Sequence, residues 1–258
     1  MKVCIFAGGW GTRLGQMAET IPKPMVLIGN KPILWHIMKI YSSYGYNDFI
    51  IMLGVKGHII KQYFYNFEAL NSDFTLDMST GQITYHNHHH EMDWKVTLVD
   101  TGLNNQKGSR LKQIEPYLDD EINLLTYGDG VSDVNIPEVV KFHKSHGKLV
   151  TITGARPMSR YGELTLDGNR VAHFSEKPNN GRGFINGGFM VFSRGLLDYL
   201  STDEDCDLET GAFEVLSKRG ELMVYKHTGH WACMDHERDV RMLNDLWNQK
   251  KAFWKVWT

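Results

Sequence analysis

The sequence predicts an α/β protein built on a mainly parallel mixed sheet flanked by helices, with a smaller sheet region after it. Two observations carry this. Short apolar runs that read as buried strands alternate with helical patterns through the first half of the chain, the order that builds a parallel sheet covered on both faces. Glycine clusters stand directly after two of those runs, at Gly8-Gly9-Trp10-Gly11 and at Gly128-Asp129-Gly130. In such Rossmann-like sheets, ligands sit where the strands end.

Taken in order, Val3–Ala7 is the first buried strand. Pro32–Tyr44 places Ile33, Leu34, Ile37, Met38 and Tyr41 at helical spacing and stops at Gly45. Phe49–Val55 is a second strand and Ile59–Phe67 a second helix. Lys95–Val99 and Asn123–Tyr127 read as strands, with a helix over Arg110–Leu118 between them. The second half is more mixed. Ile136–His146 is helical and Leu149–Gly154 a strand. Glu163–Leu166 and Arg170–Phe174 form a hairpin turning at Asp167-Gly168. Phe189–Phe192 and Leu222–Tyr225 are strands, while Leu196–Leu200, Phe213–Lys218 and Val240–Gln249 are helices. An aromatic tail follows, with Phe253, Trp254 and Trp257 suited to packing or to an oligomer contact.

The length of 258 residues suits one domain, 1–258. Within it, 1–134 reads as a nucleotide-binding lobe, 135–235 as a lobe for a sugar phosphate, and 236–258 as a C-terminal helix and tail. Lys and Arg number 28 against 30 Asp and Glu, so no charge excess points to a nucleic-acid or membrane partner. Cys4, Cys206 and Cys233 are too far apart for a disulfide framework or a zinc knuckle. The first apolar run is too short for a signal peptide, and the cytoplasm is the expected compartment.

Residues 6–25 carry most of the chemistry. Gly8, Gly9 and Gly11 let the backbone approach a ligand and aim its N–H groups at phosphate oxygens. Arg13 and the proline-flanked Lys23 add two cations to the same place, as a nucleoside triphosphate requires. Asp129, at a strand end between glycines, suits a hard cation such as Mg²⁺, but taken by itself reads better as an ordinary turn aspartate. Asp133 is better read as a loop or helix-start residue. Asp235 has two readings, a second metal ligand or the N-cap of the last helix. Tyr161-Gly162, Glu176-Lys177 and Asn186-Gly187-Gly188 supply a carboxylate, an amide, a cation and close-approach glycines, the groups that a hydroxyl-rich sugar phosphate needs. The histidines at 86, 88, 89 and 90 lie in a polar stretch, 71–93, that reads as an exposed loop or edge strand rather than a metal centre. Trp231 is expected to pack, or to flank the sugar.

GGWGTRL and PKPMV together resemble the signature of the sugar-phosphate nucleotidyltransferases, also called sugar-nucleotide pyrophosphorylases. Five further blocks, GNKPILWHIMK, WKVTLVDTG, LLTYGDGVSD, INGGF and the final FWKVW, resemble the branch of that family that joins CTP to glucose 1-phosphate. The resemblance spans nearly the whole chain. The Gln-Pro and Gly-Leu-Ala pattern that reads the base in thymidylyl enzymes is absent. Trp10, Ile21 and the loop Gly102–Ser109 depart from the family pattern.

The resemblance implies a GT-A-like fold and transfer of a cytidylyl group from CTP to α-D-glucose 1-phosphate, giving CDP-glucose and diphosphate for deoxysugar or O-antigen synthesis. It implies catalytic roles for Arg13, Lys23 and Asp129, and Mg²⁺ on Asp129 and Asp235. Phe6, Ala7, Gly8, Gly9, Gly11, Thr12, Thr101, Arg110 and Gly128 would line the nucleotide. Tyr161, Gly162, Glu176, Lys177, Asn186 and Gly187 would hold the sugar phosphate. A homo-oligomer is the expected assembly. A cytidylyltransferase with another phosphorylated acceptor and a non-catalytic nucleotide-binding module stay open on the residues alone.

Overall fold

A computed structural model of the chain describes residues 1–15, 17–87, 89, 91, 93–157, 163–175 and 183–257. In chain order its main elements begin with β1 (Val3–Ala7), α1 (Ile33–Ser42), β2 (Asp48–Leu53), α2 (Gly57–Tyr65), β3 (Phe74–Asp77) and β4 (Gln82–Tyr85). Next come β5 (Lys95–Asp100), α3 (Lys107–Gln113), β6 (Ile122–Tyr127), β7 (Gly130–Ser132), α4 (Ile136–His146) and β8 (Val150–Ala155). The hairpin β9 (Glu163–Asp167) and β10 (Arg170–Ser175) follows, then β11 (Ile185–Asn186) and β12 (Met190–Ser193). The chain closes with α5 (Glu214–Lys218), β13 (Leu222–Lys226), β14 (Trp231–Cys233) and α6 (Glu237–Asn248).

The main sheet is mixed and mostly parallel, as the alternation of runs predicts. Its centre is β1, parallel to β2 on one side and to β6 on the other. Beyond β2 lies β5, again parallel. Beyond β6 the sheet reverses: β12 is antiparallel to β6, and β8 is antiparallel to β12. β13 runs parallel to β8 at the far edge. The C-terminal ends of β1, β2, β5 and β6 therefore point the same way, and the loops that leave them share one rim.

Strand alternation divides the core in two. Val3, Ile5 and Ala7 face a layer that contains α1, α6 and Trp254. Cys4 and Phe6 face the opposite layer, with Leu111 of α3 and Leu196 and Leu197. Both faces of β1 are buried, which is why its sequence reads as an unbroken apolar run. The aromatic tail packs inside the molecule. Trp254 is fully buried, and Trp35, Trp247, Trp254 and Trp257 surround the His36 ring. Burial drives the His36 imidazole down to about 4, so it stays neutral, with Nε2 on the Ile28 carbonyl at 2.9 Å.

Some expected elements end elsewhere, for local reasons. The helix expected over Arg110–Leu118 runs from Lys107 to Gln113 and gives way to a 3-10 turn, Glu115–Tyr117. Pro116 lacks the N–H and disfavours helical geometry in the residue before it. The helix expected at Leu196–Leu200 is a 3-10 helix, Arg194–Tyr199. The one expected at Phe213–Lys218 starts at Glu214, after a π-helical turn over Leu208–Phe213. The stretch 71–93 contributes the small exposed hairpin β3–β4. No helix among the described residues is long and apolar enough to cross a membrane.

Gly29 shows how tightly the C-terminal helix seats. Its φ is +64°, and a Cβ there would meet the Trp247 indole of α6. Gly29→Ala should therefore destabilise the fold by about 1–3 kcal/mol through strain and overpacking. A melting temperature within a degree of wild type would contradict this packing.

Candidate functional site

Lys23, Asp129 and Asp235 meet at the rim of the sheet. Lys23 opens a short 3-10 turn, Lys23–Met25, held between Pro22 and Pro24. Asp129 follows β6. Asp235 arrives from the far end of the chain because β14 pairs antiparallel with β7, setting Cys233 opposite Gly130. The Met234 N–H then donates to the Asp129 carbonyl at 2.9 Å, so Asp235 emerges beside Asp129. The Lys23 ammonium donates to Asp129 Oδ2 and to Asp235 Oδ1, each at 2.6 Å. Arg13 Nη1 stands 3.6 Å from Asp235 Oδ2, with its side chain 72% exposed.

The electrostatics follow from this arrangement. Burial works against the charged form of Lys23, but Asp129 and then Asp235 outweigh it and raise its pKa. Burial likewise disfavours the Asp235 carboxylate, and the Lys23 hydrogen bond and charge still bring its pKa down. Burial first, then the two carboxylates, push the neighbouring Cys233 thiol up to about 12, which leaves it protonated and poorly suited to nucleophilic attack. The α6 cap sets aside one of the two readings of Asp235, because the N-cap is His236. Asp239 Oδ2 accepts from the N–H groups of Asp235 and His236, at 3.1 and 2.9 Å, completing a capping box with the N-cap His236, while the Asp235 carboxylate faces Lys23.

The glycine turn rises from β1 beside this cluster. Gly11 has φ +68°, the left-handed region that glycine adopts without a Cβ clash. Gly9 has open space where a Cβ would be, as a ligand-facing position should. Gly8 does something different: a Cβ there would strike the Arg110 guanidinium and the Gly54 backbone. Arg110 is 4% exposed. It donates to the carbonyls of Leu53 (3.0 Å), Gly102 (2.7 Å), Gly8 (3.2 Å) and Leu103 (3.2 Å), and to Thr101 Oγ1 (2.8 Å). Thr101 is itself buried, with Oγ1 donating to the Leu53 carbonyl at 2.7 Å. Arg110 and Thr101 thus lie under the turn and tie together the ends of β1, β2 and β5. Phe6 and Ala7 are buried strand residues, and a Cβ on Gly128 would meet the Phe6 carbonyl. Trp10 stands outward at the tip, 60% exposed.

The sequence model of the family described as Nucleotidyl transferase matches residues 2–253. The chain belongs to this family. Among nucleotidyl transferases it is 46% identical over 258 residues to the glucose-1-phosphate cytidylyltransferase of Salmonella typhi, with all of both chains covered. It is 28% identical over 229 residues to the UTP–glucose-1-phosphate uridylyltransferase of Synechocystis sp., covering 85% of this chain and 56% of that one. A solved UDP-glucose pyrophosphorylase complexed with UDP-glucose shares the fold, with a TM-score of 0.67 at 16% identity over 96% of this chain and 98% of that chain. The resemblance drawn from the sequence motifs is borne out.

This nucleotidyl transferase also carries a bulged strand. Val150 faces Phe192 and Gly154 faces Asn186, so the partner strand bulges between Asn186 and Met190. Gly188, with φ +74°, makes the bulge possible. Asn186 Oδ1 accepts from the Gly188 N–H at 3.0 Å, and the Trp231 indole donates to the Gly187 carbonyl at 2.8 Å. Trp231 therefore packs against the bulge beside the cluster. Tyr161, Gly162, Glu176 and Lys177 lie outside the described residues.

Among the described residues, no group of three or more His, Cys, Asp or Glu could hold a metal ion. His86 is engaged with Thr75, and His89 with Glu68 and Glu91, away from the rim. Two features of the rim have no signal in the sequence: the Arg110 tie, and a hydrogen-bonded chain from Asn186 through Tyr127 to Glu209. Both depend on residues that meet only after the sheet forms.

Asp133, the loop aspartate, accepts from the His230 N–H at 2.7 Å, His230 Nδ1 at 3.0 Å and His227 Nε2 at 2.9 Å. Burial opposes its charge, and these bonds outweigh burial and bring it down to about 2 from 3.8. A carboxylate whose folded pKa lies below its unfolded one stabilises fully above about pH 4 and loses that contribution as pH falls through the folded value. Asp133→Asn should lower the melting temperature near neutral pH, and the gap to wild type should close as pH drops from about 4 towards 2. A gap that stays constant over that range would rule out this ion cluster as a stabilising element.

Proposed function

We propose that the chain is a glucose-1-phosphate cytidylyltransferase, converting CTP and α-D-glucose 1-phosphate to CDP-glucose and diphosphate. The convergence of Lys23, Asp129, Asp235 and Arg13 beside a glycine turn carries the phosphate chemistry. The full-length identity to the Salmonella typhi protein carries the choice of substrates. In this reading 1–134 forms the nucleotide side, 135–235 the sugar-phosphate side, and 236–258 the closing helix and tail. A cytoplasmic homo-oligomer feeding surface-polysaccharide synthesis fits the same branch.

The reaction is an in-line displacement. An oxygen of the sugar phosphate forms a bond to the α-phosphorus, the α–β anhydride bond breaks, and diphosphate leaves. No protein nucleophile is required, so the chain's contribution is positioning and charge neutralisation. Gly8, Gly9, Gly11 and Thr12 cradle the triphosphate. Arg13, exposed on the open side of the turn, holds the departing diphosphate. Lys23 neutralises charge on the α-phosphate or on the attacking phosphate. Asn186 and Gly187, with Tyr161, Gly162, Glu176 and Lys177, position the sugar phosphate.

Asp129 and Asp235 fit a hard divalent cation. They are oxygen donors close enough to share one ammonium at 2.6 Å each, and Mg²⁺ is commonly held by one or two carboxylates plus substrate phosphates. Lys23 occupies the place of a cation between them. Bound there, Mg²⁺ would supply electrostatic stabilisation to the phosphate oxygens.

Diphosphate release from glucose 1-phosphate should be fastest with CTP in a panel with UTP, dTTP, ATP and GTP. Arg13→Ala should cut turnover roughly 10²–10³-fold, about 3–4 kcal/mol, with little change in melting temperature because its side chain is 72% exposed. Preference for another nucleotide would sink the cytidylyl assignment, and near-normal Arg13→Ala turnover would sink the phosphate role. Binding of CTP without turnover would leave a nucleotide-binding module instead.

Lys23→Gln removes the cation between two carboxylates. The variant should lose most of its activity and melt lower than wild type. Added Mg²⁺ should raise its melting temperature more than it raises that of wild type, since the ion takes over the neutralising role. Equal metal effects on both proteins would exclude the carboxylate pair as the cation site.

A further inference from the structure

The chain of side chains behind Asn186 has a fixed polarity. Glu209 lies in the π-helical turn Leu208–Phe213, whose start is capped by Asp207: Oδ1 accepts from the N–H groups of Glu209 and Thr210 at 3.0 and 2.7 Å. Such π-turns recur at functional sites. Glu209 Oε1 accepts from the Tyr127 hydroxyl at 2.7 Å and from the Lys107 ammonium at 2.6 Å. The Tyr127 oxygen in turn accepts from Asn186 Nδ2 at 2.8 Å. Asn186 Oδ1 accepts from the Gly188 N–H at 3.0 Å. An ionised carboxylate only accepts and a backbone N–H only donates. The two ends therefore force the direction of every bond between them.

Among the described residues the second hydrogen on Asn186 Nδ2 meets no partner, and the amide cannot turn over without setting donor against donor at Gly188. Tyr127 sits directly before Gly128-Asp129, and its ring stacks on Phe6 at 6.0 Å. Lys107, at the start of α3, also stands over the Tyr127 ring at 5.4 Å. The same carboxylate thus ties the Asn186 bulge to the loop that follows β5. Glu209 Oε2 is buried and meets no hydrogen-bond partner among the described residues. That arrangement is unfavourable for a residue whose only task is packing.

We infer that Glu209 is a positioning residue for the transfer: through Tyr127 it locks the Asn186 amide with its free N–H presented to the sugar phosphate. Glu209 itself touches neither substrate. The inference rests on the functional reading above, in which Asn186 faces that substrate.

Steady-state kinetics with each substrate varied separately tests it. Glu209→Ala frees the Tyr127 hydroxyl to donate towards Asn186, so the amide loses its set orientation. The KM for glucose 1-phosphate should rise about 10-fold, the scale of one misoriented hydrogen bond, while the KM for CTP changes less than about 2-fold. Glu209→Gln keeps an acceptor for Tyr127 and should restore most of the sugar-phosphate KM. Tyr127→Phe should match Glu209→Ala, and the double variant should be no worse than either, since all three break one chain. Tyr127→Phe retains the ring stack, so it carries the comparison if Glu209→Ala folds poorly. Unchanged KM for glucose 1-phosphate, equal changes for both substrates, or additive effects in the double variant would overturn the assignment. A wild-type protein that turns over CTP with these results leaves the functional reading intact. A wild-type protein inactive with every sugar phosphate overturns both.

Discussion

The Lys23 ammonium joins three stretches of chain that are remote in sequence, 106 residues from Asp129 and 212 from Asp235. Two carboxylates brought this close repel each other, and a cation between them turns the repulsion into attraction. That single interaction requires four separate elements to be in place. β6 must end just before Gly128, the proline-flanked turn must aim Lys23 inward, β7 must pair with β14, and α6 must be capped by His236 with Asp239 rather than by Asp235. A site assembled in this way forms only when the whole sheet has formed. Its opposed charges neutralise each other within the cluster.

Arg110 provides the floor beneath it. β1, β2 and β5 are parallel neighbours and end side by side. Burial lowers the Arg110 pKa, while Asp100 works in the other direction. The planar guanidinium, with its several donors, satisfies carbonyls from three loops at once. Gly8 and Gly54 are glycines because the guanidinium and the two backbones occupy the space where side chains would be. The cation that sequence reading places on the nucleotide is thus packed beneath the glycine turn.

Much of the fold was legible in the sequence because its central strands are buried on both faces. Val3–Ala7 and Asn123–Tyr127 read as strands for that reason, and α1 and α4 show their faces at helical spacing. Boundaries shifted where local chemistry overrode periodicity, at Pro116 and at the Asp207-capped π-turn. The exposed hairpin β3–β4 has little periodicity to read, since both of its strands lie at the surface. The site was legible where glycines and charges cluster within a few residues, as at Gly8–Arg13 and Gly128-Asp129. It was illegible where a contact spans the chain, as in the chain from Asn186 through Tyr127 to Glu209.

The sequence alone determined the alternation of strands and helices, the position of the glycine turn after β1, and the family to which the motifs point. Local spacing suffices for these, because each rests on residues that are neighbours along the chain. Only the tertiary structure decided that Asp235 faces Lys23 instead of capping α6, that Arg110 holds carbonyls beneath the turn, and that the aromatic tail closes over His36. Each of these is a choice between partners for one polar or aromatic group. Such choices are settled by which strands pair and what lies within hydrogen-bonding or packing distance once they do.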